Sequence, residues 1–222
     1  MDMPTVIIRS LPARISTVLI ALIALYITIV VWLSDGWGNG LVAAAITGTF
    51  SACVWLLWWV PMMRLDNDGI YVRNALNSWT IGWEELTDTR TRWGLLLLTE
   101  QSTIPVSAAG RGGLWTAVRR ERTVPATREE YLTPSAHVYK TRLDSDDAAH
   151  LVELYQEAWR HHAQAEERAY QRQVRLAAKR HQSVPPRTHK PVTGVARHVM
   201  TSSWIVIGMC VVALVAGFVM KP

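Results

Sequence analysis

Cysteine is scarce in this sequence, since only Cys53 and Cys210 occur among 222 residues. Both lie inside long apolar runs, where a cysteine behaves as a small hydrophobic side chain. They therefore provide neither a disulfide framework nor a cysteine-based metal site. Half of the residues are hydrophobic while 18% are charged, a mixture that indicates a chain divided between two solvents.

The motifs of nucleotide-binding and hydrolytic enzymes are also missing. There is no G-x-x-x-x-G-K-[ST] and no G-x-S-x-G, and the GRGG segment at 110–113 lacks the lysine of a phosphate-binding loop. Paired carboxylates such as Glu84 and Glu85 are sequence neighbours, so their side chains diverge on a strand or a helix. We therefore expect no catalytic residue and no enzymatic activity.

The seven histidines lack the spacing of metal or haem ligands. His161 and His162 are adjacent, so on a helix their side chains point about 100° apart. None of the seven lies within the long apolar runs, which excludes a bis-histidine haem between those runs. We expect solvated histidines, no metal and no cofactor.

Charged residues are absent from three long apolar runs, at residues 15–33, 41–63 and 202–220. A helix over the first run would be about 28 Å long, close to the hydrocarbon thickness of a bilayer. Backbone groups in lipid must hydrogen-bond internally, so each run is predicted to be a transmembrane helix. A cleaved signal peptide is the alternative for the first run, but its length and the second run directly after it favour a spanning helix.

Basic residues predict the orientation of these helices. The segment SDGWGNG joins the first two runs and predicts a tight helical hairpin, because its glycines permit a sharp reversal. The basic residues that flank the three runs are Arg9, Arg14, Arg64 and Arg197. By the positive-inside rule the N-terminus and segment 64–201 lie in the cytoplasm and the C-terminus lies outside the plasma (inner) membrane.

Small residues at four-residue spacing lie on one face of the second and third runs. They are Ala44, Gly48, Ala52, Ala213 and Gly217. Such faces let helices approach closely. They could pack against one another within this chain or dock onto helices of a larger complex, and the sequence leaves both alternatives open.

Segment 64–182 is predicted to be an α+β domain that begins with an antiparallel sheet. The stretches GIYVRN, SWTIGW and LLLLTEQSTIPVSA have the alternation and the turns of at least four short strands. Residues 64–67 offer a further edge strand, and SAHVYKTRL at 135–143 offers a last one. Residues 109–134 between them are an irregular insertion.

A long helix is predicted over residues 144–182, with Asp144 or Ser145 as its N-cap. Residues at i, i+3 and i+4 spacing give it one apolar face, formed by Leu151, Leu154, Tyr155, Ala158 and His162. Beyond about residue 159 the apolar stripe narrows and the helix is predicted to be exposed. Residues 183–201 are rich in proline and are predicted to be a linker to the third run.

The order of these segments resembles the bacterial pleckstrin-homology-like (PH-like) domain of actinobacterial membrane proteins. The shared pattern is a G-(hydrophobic)-x-V-R-N strand followed by an I-x-W-x-E-(hydrophobic) strand end, matched here by Gly69, Val72, Arg73, Asn74, Ile81, Trp83, Glu85 and Leu86. The resemblance covers about residues 62–108. It implies a partly open β-barrel closed by a C-terminal helix and anchored by the helical hairpin. The insertion, the long helix and the third run depart from the family pattern.

The best binding candidate in the sequence is a basic stretch of the insertion, formed by Arg111, Arg119, Arg120 and Arg122. Near an anionic leaflet such residues gain about 1 kcal/mol each. Glu121 interrupts the stretch, so a solvated or partner-facing loop is the alternative. The tryptophans of the domain are not interleaved with clustered basic residues, and no nucleic acid is expected as a partner.

Two functions fit these observations. The first is a non-enzymatic accessory or assembly subunit of a larger membrane complex, whose partners are other integral membrane proteins. The resemblance makes the actinobacterial respiratory supercomplex an expected setting for such a subunit. The second is a membrane-surface sensor that binds anionic lipids through its PH-like domain.

Overall fold

The computed structural model describes residues 3–110, 128–179, 183 and 194–219. Within these residues the chain forms nine strands, which are β1 (Thr5–Ile8), β2 (Met62–Leu65), β3 (Ile70–Arg73), β4 (Asn77–Ile81), β5 (Leu86–Arg90), β6 (Leu95–Thr99), β7 (Thr103–Val106), β8 (Val138–Thr141) and β9 (Val195–Val199). The helices are α1 (Leu11–Val54), α2 (Ser145–Lys179) and α3 (Thr201–Val219). A π-helical turn, Trp55–Trp59, extends α1, and a 3-10 turn, Glu129–Tyr131, precedes β8.

The helix α1 folds back on itself at Gly36, whose φ of 81° and ψ of −178° are not helical. The hydroxyl oxygens of Thr28 and Thr47 lie 2.9 Å apart, whereas nineteen residues of straight helix would separate them by about 28 Å. We call residues 11–35 the first arm and residues 37–54 the second arm. The two arms therefore form a hairpin.

The strands form two sheets. The larger has the order β8-β1-β2-β3-β4-β9, and the smaller has the order β5-β6-β7. We expected an antiparallel sheet, but the larger one is mixed because β1 and β8 pair in parallel. Residues 183–201 were predicted to be a linker, yet they contain β9, which pairs with β4. An edge strand was predicted at residues 64–67, but only residues 64 and 65 are in a strand, β2, and this strand lies between β1 and β3.

The core lies between the sheets and the first half of α2. Its largest enclosed side chains are Trp83 and Tyr155, whose rings stack with centroids 6.0 Å apart. The indole N–H of Trp83 donates to the carbonyl oxygen of Asp66 at 2.9 Å. Sheet and helix together agree with a PH-like arrangement, in which a helix closes a curved sheet.

The helix α2 begins as the sequence predicts, because the Asp144 carboxylate accepts hydrogen bonds from the N–H groups of Asp146 and Asp147. Leu151 and Tyr155 are fully buried on the predicted apolar face. His162, which was assigned to that face, is exposed. The contact with the core ends before this residue is reached.

The most apolar helical segment, Leu11–Trp59, is long and apolar enough to cross a membrane, and Thr201–Gly217 is a shorter apolar helix. Only 11% of the most apolar window of the first segment is buried, unlike a core helix of a soluble protein. The second apolar run was predicted to continue to residue 63, but Met62 and Met63 lie in β2. Pro61 between them and the helix cannot donate a backbone hydrogen bond, which ends the helix.

Candidate functional site

The described part of the chain contains no group of three or more His, Cys, Asp or Glu side chains that could hold a metal ion. Two titratable side chains of the described chain, Tyr155 and Asp66, have shifted pKa values and make contacts within the fold. Burial raises the pKa of Tyr155, whose hydroxyl lies 2.8 Å from the carbonyl oxygens of Pro4 and Tyr131. Burial also raises the pKa of Asp66, while its ion pair with Arg64 lowers it. The contacts of both groups lie within the fold.

Three strands of the larger sheet run almost directly into the apolar helices. Two residues separate β1 from α1, two separate the π-helical turn from β2, and one separates β9 from α3. The register places these connections at one edge, because Ile8 lies opposite Met63 and Val199 lies opposite Asn77. We call this the junction edge, and it also includes the β3–β4 turn at residues 74–76.

Asn74 connects the junction edge to the smaller sheet. Its side-chain N–H donates to the carbonyl oxygen of Pro105 at 2.7 Å, and its side-chain oxygen accepts from the N–H of Ser107 at 3.0 Å. Its backbone N–H also donates to the carbonyl oxygen of Asn77. Asn74 therefore joins the junction edge of the larger sheet to the end of β7 in the smaller sheet.

Arg197 and Met200 fix the start of α3 to the same edge. The Arg197 guanidinium donates to the side-chain oxygen of Asn77 at 3.2 Å and lies 5.3 Å from the centroid of the Trp79 ring. The N–H of Met200 donates to the carbonyl oxygen of Leu76 at 2.9 Å. With one residue between strand and helix, α3 has little freedom to swing relative to the sheet.

The small residues predicted for helix packing fall in different environments. Gly217 is buried against the second arm, where a Cβ on this glycine would lie 3.0 Å from the Cβ of Ala45. Gly48 is exposed, with no atom within 4 Å of the position of its Cβ, and Ala213 is also exposed. Ala44 and Ala52 are half-buried. The α3 contact therefore uses Ala45, while the surface at Gly48 is uncovered.

We expect Gly217→Leu to separate α3 from the second arm, because the new side chain would overlap Ala45. Overpacking of this kind costs about 1–3 kcal/mol. Gly208→Leu is the matched control, since no atom lies within 4 Å of its Cβ position. Thermal unfolding of the full chain in a mild detergent should show a lower midpoint for the Gly217 variant alone, and equal midpoints for both variants would contradict the packing.

Two other surfaces are uncovered, one apolar and one basic. A groove of about 290 Å³ lies between the two arms and is lined by apolar side chains such as Ile23, Ile27, Ile46 and Phe50. The second half of α2, beyond Trp159, is mostly exposed. Residues 160–179 carry five Lys/Arg and two Asp/Glu, so this surface is basic. Both surfaces are available for contact with a partner.

The predicted basic stretch, Arg111, Arg119, Arg120 and Arg122, lies outside the described residues. The sequence reasoning missed the role of Asn74 and Asn77 at the junction edge. Asn74 was noted only as a match to the PH-like pattern. Its hydrogen bonds to Pro105 and Ser107, in and directly after β7, have no local signal in the sequence, since those residues are more than thirty positions away.

Comparison with known proteins gives no family assignment, since no family model, curated protein or solved structure matches this chain.

Proposed function

We propose that this chain is a non-enzymatic, membrane-anchored accessory subunit that acts through contacts with other integral membrane proteins. The observation that carries the proposal is the junction edge, where three connections of one or two residues join one sheet to the apolar helices. Such short connections hold the sheet and α2 at a fixed height and orientation. A module fixed in this way can act only on neighbours in or on the membrane.

Three membrane-spanning helices are part of the proposal. Large apolar side chains cover the outside of the α1 hairpin and of α3. Examples are Leu33 on α1, which is 82% exposed, and Val212 on α3, which is 68% exposed. Apolar surface on this scale indicates contact with lipid or with another protein. The two ends of the hairpin meet as the neighbouring strands β1 and β2, which supports two crossings with both ends on the same side.

The strand β1 argues against a cleaved signal peptide. It precedes the first arm, yet it is paired on both sides, with β2 and with β8. Cleavage after the first apolar run would remove a strand from the middle of the sheet. The first apolar run is therefore proposed to stay in the protein as a spanning helix. With that helix in place, the positive-inside rule puts the sheet and α2 in the cytoplasm and the end of α3 on the outer side.

The contact surfaces are the uncovered surface at Gly48 and the exposed half of α2. A long helix that leaves the core after Trp159 gains little from its own domain, but it can lie across a neighbouring subunit. Its excess of basic residues suits an acidic surface on that neighbour. Subunits of the actinobacterial respiratory supercomplex are the first partners to examine.

Site-specific photo-cross-linking in native membranes tests the proposal. We expect a photoreactive residue at Gly48, Gln164 or Arg168 to give discrete adducts with an integral membrane protein. The same residue at Glu100, in the exposed β6–β7 turn, serves as the control and should give none. Absence of adducts from all three test positions would contradict the proposed function, as would protease accessibility of α2 from outside the cell.

A further inference from the structure

Three arginines meet at the junction edge where β1 enters α1. The register that pairs Ile8 with Met63 continues to place Arg9 opposite Met62, and Met62 lies opposite Arg73 on the next strand. Paired residues of neighbouring strands have their side chains on the same face, so Arg9 and Arg73 flank Met62. Arg14, in the first turn of α1, lies with its guanidinium carbon 4.6 Å from the centroid of the Trp59 ring. We call Arg9, Arg14 and Arg73 the arginine triad.

The triad has no anionic partner among the described residues. The Arg9 guanidinium instead donates to the Met62 sulfur at 3.1 Å, and a thioether is a weak acceptor. The Nε atoms of Arg14 and Arg73 are buried, and neither has a hydrogen-bond partner within the described part of the chain. A buried donor left without an acceptor is costly and calls for an explanation, such as a ligand.

The lowered pKa of Arg9 also indicates that the three arginines are close together. Burial lowers the pKa of Arg9 most, and the positive charges of Arg14 and Arg73 lower it further. The three side chains are therefore close enough to repel one another. An anion bound among them would relieve the repulsion and accept the free N–H groups.

We propose that the arginine triad binds the phosphate group of an anionic membrane lipid. Guanidinium groups bind phosphate oxygens in a planar, two-pronged geometry, and the free Nε–H groups of Arg14 and Arg73 are donors of the required kind. No carboxylate of the described chain lies in the triad to pair with the quaternary ammonium group of phosphatidylcholine. The triad therefore selects phosphatidylglycerol-like headgroups over phosphatidylcholine.

The neighbouring surface fits a lipid better than a free phosphate ion. Beside the triad, the start of α1 presents Leu11, Ile15 and Val18, which are 52%, 54% and 47% exposed. These apolar side chains lie where the acyl chains of a bound lipid would continue from its phosphate. The inference rests on the proposed embedding of α1 in the membrane, and it assigns a ligand to one place on that anchor.

Lipid titration of the full chain in a mild non-ionic detergent tests the inference, with bound lipid counted by native mass spectrometry. Phosphatidylglycerol should bind at least about tenfold more tightly than phosphatidylcholine with the same acyl chains. We expect R9Q/R73Q to lower the affinity for phosphatidylglycerol about 30-fold, since each basic residue near an anionic headgroup contributes a factor of about five. R90Q/R160Q removes two exposed arginines elsewhere, so it is the charge-matched control and should change the affinity less than about twofold.

Two further measurements separate binding from folding. Without lipid, R9Q/R73Q should unfold at an unchanged or higher temperature because repulsion within the triad is reduced. Phosphatidylglycerol should raise the unfolding temperature of the wild type but not that of R9Q/R73Q. If R9Q/R73Q fails to fold, R9K/R73K keeps both charges but loses the planar fork, and it should weaken binding several-fold.

Three outcomes would overturn the inference. The first is an unchanged lipid preference in R9Q/R73Q, and the second is an equal loss of affinity for phosphatidylglycerol in R90Q/R160Q. The third is displacement of phosphatidylglycerol by millimolar inorganic phosphate, which would point to a soluble anion. Carbonate extraction of native membranes tests the anchor separately. A chain that carbonate releases contradicts the proposed function. A chain that resists extraction but shows no triad-dependent lipid preference contradicts the lipid site alone.

Discussion

Replacing Trp83 by alanine is expected to lower the free energy of unfolding of the full chain by about 4 kcal/mol. Trp83 is only 1% exposed and stacks on Tyr155, so its removal leaves a large cavity between β4 and α2. The change also leaves the Asp66 carbonyl without the hydrogen bond of the indole N–H. The loss should appear as a lower midpoint of chemical denaturation in detergent, followed by far-ultraviolet circular dichroism.

Trp93→Ala is the matched control for this experiment. Trp93 is 76% exposed, and the guanidinium carbon of Arg92 lies 5.7 Å from the centroid of its ring. Its removal should cost less than about 1 kcal/mol. Similar losses in the two variants would mean that Trp83 is not a central part of the core.

The second large effect is expected for Gly69→Ala, which should lower the free energy of unfolding by about 3 kcal/mol. The φ of Gly69 is 153°, a conformation that side chains with a Cβ rarely adopt. A methyl group there would also collide with the carbonyl oxygen of Ile81 on the paired strand. Because the obstacle is backbone, it cannot move aside without breaking the β3–β4 pairing.

The surroundings of Gly69 add to the expected cost. The Asp66 carboxylate accepts hydrogen bonds from the N–H groups of Asp68 and Gly69, both at 3.1 Å, which fixes the β2–β3 turn. Gly110→Ala is the control, because no atom lies within 4 Å of its Cβ position. If the Gly69 variant unfolded at the same denaturant concentration as the Gly110 variant, the tight approach of β3 to β4 would be wrong.

Local patterns in the sequence were sufficient for much of the domain. The alternation in GIYVRN gave β3, the capping carboxylate gave the start of α2, and Leu151 and Tyr155 were correctly assigned to the core. Each of these features depends on residues within a few positions of one another. His162 was misassigned because helical spacing shows which face a residue shares, but not where the core stops covering that face.

Strands β1 and β9 were missed because they are four and five residues long and their partners are distant. Val6 pairs with Leu65 across the whole α1 hairpin. The arginine triad was hidden for the same reason. Arg9 and Arg14 were identified only as markers of orientation, while Arg73 joins them solely through the register of β2 and β3.

Helix packing required the geometry of the hairpin. The sequence places Ala44 and Gly48 on one helix face, but the kink at Gly36 sets the rotation of the second arm. Because each residue turns the helix by about 100°, Ala45 lies on a different face from Ala44. Gly217 meets Ala45, whereas Gly48, one turn further along the second arm, is exposed and has no atom within 4 Å of its Cβ position.

The pairing of β4 with β9 also sets the order of events during synthesis. Ile81 leaves the ribosome 114 residues before Val195, its partner in the ladder. Until then one side of β4 is an open edge, the kind of surface at which nascent chains join one another wrongly. Biogenesis therefore has to protect this strand while α2 is still being translated, and the sheet closes only when the segment leading into α3 arrives.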